Sequence, residues 1–208
     1  MPEITRVRER RGRAWISVDG EFWAEIDADV AAERGLREGV ALSHEELQEA
    51  RVAGERALAM ARALHYVGYR ARSEREVRQR LRRYGYDEET VAGVIGRLKE
   101  LGYLDDAEFA RLQVREKARK YGKRRVSAEL SRSGVDGEVA REAVEEEFAG
   151  RSELETAFSV ASRRYNRAGS DAEARRVYGF LMRRGYSAEV CAEVAREFRG
   201  TGITEAEG

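Results

Sequence analysis

The chain is short of the residues that staple, ligate or kink a fold. Its 208 residues include one cysteine, one proline and two histidines. No apolar run approaches the roughly 18 residues that suggest a membrane span. Cys191 alone excludes an intrachain disulfide framework, and with His44 and His65 far off it makes no zinc-ligand spacing. The first residues, Met1, Pro2 and Glu3, lack the apolar core of a secretory signal, so the expected compartment is the cytoplasm. Net charge is also missing. The 39 basic residues equal the 39 acidic ones, so the total favours neither nucleic acid nor membrane. Charge itself is abundant: 38% of the residues are charged, against about 25% in ordinary soluble domains. With Pro2 the only proline, a soluble, helix-rich chain of one or two domains is expected.

The first segment reads differently. Ile4–Arg8, Arg13–Val18 and Glu21–Ile26 are rich in β-branched and aromatic residues and are punctuated by Arg11-Gly12 and Asp19-Gly20. Asp-Gly between such runs predicts a hairpin. A two-residue turn pairs Val18 with Glu21, whereas the apolar alternation prefers Val18 opposite Phe22, so the register stays open. Trp15, Phe22 and Trp23 are expected to pack an apolar face against the helices, with a partner-binding patch as the alternative. A short helix near Asp29–Arg34 leads onward.

The remainder repeats. Leu81-Arg82-Arg83-Tyr84-Gly85-Tyr86-Asp87 is echoed by Leu130-Ser131-Arg132-Ser133-Gly134-Val135-Asp136 and Leu181-Met182-Arg183-Arg184-Gly185-Tyr186-Ser187, with glycines 49 and 51 residues apart. Each phrase reads as a helix end, a left-handed Gly, an apolar residue and a capping residue for the next helix. Ser43, Ser73, Asp105, Ser152 and Ser170 each precede a Glu by three residues, the capping-box spacing. Nine helices follow: 43–69, 73–84, 87–101, 105–121, 123–133, 136–149, 152–168, 170–184 and 187–199. The expected organisation is a β-rich extension over 1–42, three-helix repeats over 43–101, 102–150 and 151–200, and a flexible tail over 201–208. The fold class is mostly α, with tandem three-helix repeats in an elongated array behind a small β-meander.

Charge alternates along these repeats. Residues 70–83 carry a net of +5, residues 111–132 a net of +7 and residues 161–184 a net of +5. Between them, residues 87–108 carry −5 and residues 136–155 carry −6. The middle helix of each repeat is thus basic and the third acidic. Solvation and local i to i+4 pairing explain any single cluster. Three clusters in one structural position suit a repeating polyanion or an acidic groove on a protein polymer. The charge map singles out Arg70, Arg72, Arg82, Arg83, Lys117, Arg119, Lys120, Lys123, Arg124, Arg125, Arg163, Arg164, Arg175, Arg176, Arg183 and Arg184. Tyr69, Tyr84, Tyr121, Tyr165 and Tyr178 lie among them and can stack on unpaired bases, although core or helix-end packing is the commoner fate.

No catalytic constellation emerges. His44 follows a cap, His65 sits within a long helix, and Cys191 falls in an apolar register. Asp105-Asp106 reads first as a helix start, and phosphate-loop and metalloprotease signatures are absent. A binding protein without catalytic site, metal or cofactor is expected.

Three stretches resemble the RecX family, bacterial regulators of the RecA recombinase. They are Tyr69-Arg70-Ala71-Arg72-Ser73-Glu74-Arg75-Glu76-Val77, Glu100-Leu101-Gly102-Tyr103-Leu104-Asp105-Asp106-Ala107-Glu108-Phe109-Ala110, and Tyr121-Gly122-Lys123-Arg124-Arg125-Val126-Ser127-Ala128-Glu129-Leu130. The likeness is strong over about 56–148 and continues more weakly over 150–200. Ala71 stands where the family often has Pro, and Val67 where it has Leu. The resemblance implies a non-enzymatic, cytoplasmic protein, taken here as a monomer. Such a protein binds the RecA–DNA filament, including its single-stranded DNA, and lowers RecA's ATP hydrolysis, strand exchange and filament extension. A stand-alone helix-turn-helix-like DNA-binding protein is the competing expectation, and a nuclease using Asp105 and Asp106 a remote third.

Overall fold

The computed structural model describes residues 1–165 and 170–199. The chain divides into two compact units, Met1–Asp105 and Asp106–Gly208. In the first, β1 (Ile4–Arg10), β2 (Arg13–Val18) and β3 (Glu21–Asp27) form an antiparallel sheet in that order. It is followed by α1 (Ala28–Glu33), α2 (His44–Val67), α3 (Glu74–Arg83) and α4 (Glu88–Glu100). The second unit holds α5 (Asp106–Lys117), α6 (Lys123–Ser133), α7 (Gly137–Ala149), α8 (Glu153–Ser162), α9 (Asp171–Arg183) and α10 (Ala188–Glu197). The expected tail over 201–208, and the end of the helix expected over 152–168, lie outside the described residues.

The turn decides the pairing at Val18, which faces Glu21 and not Phe22, and the apolar alternation decides the register beyond it. Asp19 (φ 51°) and Gly20 (φ 86°) make a tight turn with both residues left-handed, which pairs Val18 with Glu21. A bulge one residue later lets Ile16 face Ala24 and Ala14 face Ile26. The buried sheet face is therefore Ile4, Ala14, Ile16, Ala24 and Ile26 rather than the aromatics. Trp23 packs against that core, but Phe22 is 67% exposed and Trp15 lies on the opposite face. The expectation that all three pack inward is corrected: alternation beside buried Ala14 and Ile16 sends Trp15 to the other face, and the bulge at Trp23 leaves Phe22 outward.

Helix α2 is longer than the others because it serves two cores. Its N-terminal half meets the sheet through Ala50 and Gly54, and Ile26 fills the space a Gly54 side chain would need. Its C-terminal half contributes Ala59 and Ala63 to the first three-helix core with Val77, Leu81, Val91, Val94 and Leu98. The second repeat closes over Phe109, Val114, Val126, Leu130 and Val144, and the third over Val160, Val177, Leu181, Tyr186, Cys191 and Phe198. Each repeat thus buries its own core.

The helix punctuation behaves largely as the sequence predicts. Ser43 and Ser73 form reciprocal capping boxes with Glu46 and Glu76. The Ser152 hydroxyl accepts from the Glu155 amide at 3.2 Å. Ser170 departs: the Glu173 amide donates to its carbonyl at 2.9 Å, so its hydroxyl makes no cap. Helix α5 also ends at Lys117 instead of residue 121. The Lys120 and Tyr121 amides both turn back onto the Lys117 carbonyl and tighten the chain before Gly122.

Candidate functional site

In the first unit the basic helix α3 meets carboxylates at almost every turn. Arg70 and Arg72 converge on Glu76, Arg78 bridges Glu74 and Glu88, and Arg82 reaches Glu88 at 2.6 Å. Hydrogen bonds from Arg78 and then Lys99 hold the Glu74 carboxyl below its usual value, and Arg82 does the same for Glu88. These arginines tie the start of α4 to α3. Arg83 donates to the Gln79 carbonyl at 3.3 Å. Between helices, Tyr66 lies under Arg72 at 3.9 Å, and Tyr84, 44% exposed, has Arg62 and Arg80 at 4.6 and 4.9 Å.

The second unit brings basic segments of two successive repeats together. The turn before α6 lies against the end of α9: the Gly122 amide donates to the Arg184 carbonyl at 3.0 Å. The Arg184 guanidinium donates to the Lys120 carbonyl at 3.0 Å, and Arg125 reciprocates to the Arg183 carbonyl at 3.3 Å. The Tyr121 ring serves both cations, with Arg125 at 4.2 Å and Arg184 at 5.3 Å. Two glycines make this approach possible. A β-carbon on Gly122 would stand 2.4 Å from the Gly185 carbonyl oxygen, and one on Gly185, already left-handed at φ 82°, would stand 2.5 Å from Arg125.

Arg125 and Lys117 share Glu129. Burial pushes the Glu129 carboxyl up, but hydrogen bonds from Lys117 and Arg125 outweigh it, and the net shift is downward. Around this fixed centre, Arg119, Lys120, Lys123, Arg124 and Arg183 are exposed, and no ion pair involves them among the described residues. The junction therefore separates two kinds of cation. Arg125, Arg184 and Lys117 build it, and the others face outward from it.

The remaining basic residues are divided likewise. Arg164 lies 5.4 Å from the Phe180 ring, while Arg163, Arg175 and Arg176 are exposed. Tyr165 packs edge-on to Phe180 at 5.6 Å, whereas Tyr69 and Tyr178 stand at the surface. His65 contacts Tyr69 at 3.3 Å, and His44 is exposed. Cys191 is fully buried, and burial pushes its thiol up to about 11, which marks it as a core residue. Among the described residues, no group of three His, Cys, Asp or Glu is placed to hold a metal ion. Nor is any helix among them long and apolar enough to cross a membrane.

One concentration of cations escapes a helix-by-helix charge count. Arg6, Arg8 and Arg10 are exposed on edge strand β1, in rows with Ser17, Trp15 and Arg13 of β2. The signal for them is a two-residue spacing rather than net charge.

Three family models match the chain: the first three-helix domain of RecX at residues 59–98, the second at 105–144 and the third at 152–194. A protein of Amycolatopsis mediterranei named regulatory protein RecX is 41% identical over 133 residues, covering 62% of this chain and 75% of that relative. One of Lactobacillus gasseri with the same name is 33% identical over 150 residues, covering 70% of this chain and 55% of its own length. A crystal structure of a regulatory protein RecX superposes with a TM-score of 0.64 at 23% identity, over 94% of this chain and all of that one. That superposition speaks for the fold.

Proposed function

The chain belongs to the RecX family, and on that premise we propose that it is a non-enzymatic regulator that binds the RecA–DNA filament and lowers its ATP hydrolysis and extension. The observation that carries the reading is the junction in the second unit, where outward-facing cations from two successive repeats surround a centre fixed by Tyr121, Arg125 and Arg184. A surface drawn from more than one repeat suits a partner that is itself periodic, because modest contacts at each repeat add through effective concentration. The cations set out above are the proposed contact residues, and those already paired, such as Arg70, Arg82 and Lys117, act by positioning. The site of action follows RecA, in the cytoplasm, and the contacts divide between RecA and the single-stranded DNA within the filament.

A RecA–single-stranded DNA ATPase titration at two salt concentrations, with binding to naked DNA measured alongside, tests this. Lys120→Glu with Arg124→Glu should weaken inhibition at least tenfold while helix content stays unchanged. Arg125 is the wrong target for this purpose, since its reversal also breaks the Glu129 pair and the Tyr121 stack. Unaltered inhibition by the folded double variant would refute the role of the junction. Duplex binding as tight as filament binding would favour a stand-alone DNA-binding protein instead.

A further inference from the structure

The outer face of the N-terminal sheet lies outside the three matched domains and has its own chemistry. Cross-strand partners share a face, and Ile16 marks the buried one. The opposite face therefore carries the rows Arg6–Ser17–Phe22, Arg8–Trp15–Glu25 and Arg10–Arg13–Asp27. Its acids are engaged. Glu25 accepts from Arg13 at 2.8 Å and approaches Arg62 at 3.9 Å, while Asp27 caps α1 by accepting from the Asp29 and Val30 amides. Arg6, Arg8 and Arg10 are exposed and in no ion pair among the described residues. Trp15 is half-buried yet belongs to no core, and Phe22 is 67% exposed.

We propose that this sheet face binds single-stranded nucleic acid, with Arg6, Arg8 and Arg10 following the phosphates and Trp15 offering its ring to an unpaired base. Successive arginines two residues apart on a strand stand about 6.8 Å apart, close to the phosphate spacing of an extended single strand. An aromatic platform flanked by cations is the chemistry that unpaired bases require, and a base within a duplex does not present its face to it. Four arginines, Arg6, Arg8, Arg10 and Arg13, against Glu25 and Asp27 leave these rows with a net positive charge, which a polyanion complements. Edge strands also carry charge merely to block pairing with other chains, and the test separates that role from binding.

The intact protein is titrated with oligo(dT) in the absence of RecA, so the outcome is independent of filament regulation. Quenching is read in Trp23→Phe, where Trp15 is the sole tryptophan. Oligo(dT) should quench Trp15, and a duplex of equal length should not. Trp15→Ala should weaken binding at least fivefold. In the Trp23→Phe background, Arg6→Gln, Arg8→Gln and Arg10→Gln together should flatten the slope of log affinity against log salt by about 2, from about 0.7 per cation. All three arginines are exposed, so this variant should keep its fold. Quenching with an unchanged salt slope in the triple variant would overturn the proposal and leave the arginines as guards of the edge. So would equal quenching by duplex.

Discussion

Replacing Gly122 by alanine tests whether the junction between the second and third repeats is built by close backbone contact. Gly122 has φ −76° and ψ 164°, which any residue adopts, so alanine there brings no backbone strain. It should even gain about 0.4–1 kcal/mol by restricting the unfolded chain. Against this, the added β-carbon would lie 2.4–2.5 Å from the Gly185 carbonyl and the Tyr186 Cα, all backbone atoms of a packed helix end. The two segments must part by about an ångström, and such overpacking costs about 1–3 kcal/mol. Parting also lengthens the Gly122–Arg184 backbone hydrogen bond, worth about 1 kcal/mol. The net loss is about 1–3 kcal/mol, or roughly 5–15 °C in the melting of a unit of this size. Thermal melting followed by circular dichroism measures it, and the reactivity of Cys191, buried beside Tyr186 in the third core, reports where the opening occurs. Melting at or above the parent temperature would refute the close approach.

Gly96 supplies the converse, since a β-carbon there meets nothing within 4 Å in the middle of α4; Gly96→Ala should stabilise by about 0.5–1 kcal/mol in the same melt. Cys191 should resist thiol reagents in the native protein at neutral pH and react only as the third repeat unfolds, because burial holds its thiol near 11. The carboxyls of Glu74, Glu88 and Glu129 are depressed in the folded state, so their contribution is present above the unfolded carboxylate range and is lost as pH falls through their folded values. Acid titration of stability should therefore steepen below about pH 4.5, and Glu129→Gln should flatten it; an identical acid limb in the variant would refute the ion-pair account.

The fold was legible wherever local chemistry and burial agree. The three Gly phrases announce three repeats because each helix end needs the same left-handed turn, and Gly85, Gly134 and Gly185 all adopt it. The Asp-Gly turn was equally clear. What could not be read was the bulge that reconciles it with the apolar pattern, since a bulge is set by the sheet it packs on rather than by its own residues. Ser170 shows the same limit: the capping spacing is present, but the competing carbonyl acceptor belongs to the local backbone path.

Charge was legible in amount and not in employment. Counting by helix makes α3, α6 and α9 look alike, yet α3 spends Arg78 and Arg82 on nearby carboxylates, as the segment leading into it spends Arg70 and Arg72. At α6, Arg124 stays outward while its neighbour Arg125 is committed to Glu129 and Tyr121. Adjacent residues of one type thus do opposite work, because neighbours on a helix point about 100° apart and only one of them meets the partner helix. A cation already bound to its own chain has little left to offer a phosphate or an acidic groove, since engaging it first means breaking a charge-assisted hydrogen bond. Recognition should therefore follow the outward residues at the junction rather than the density of arginine along any one helix. Neutralising Arg70 and Arg82 should cost stability of the first unit more than it costs regulation.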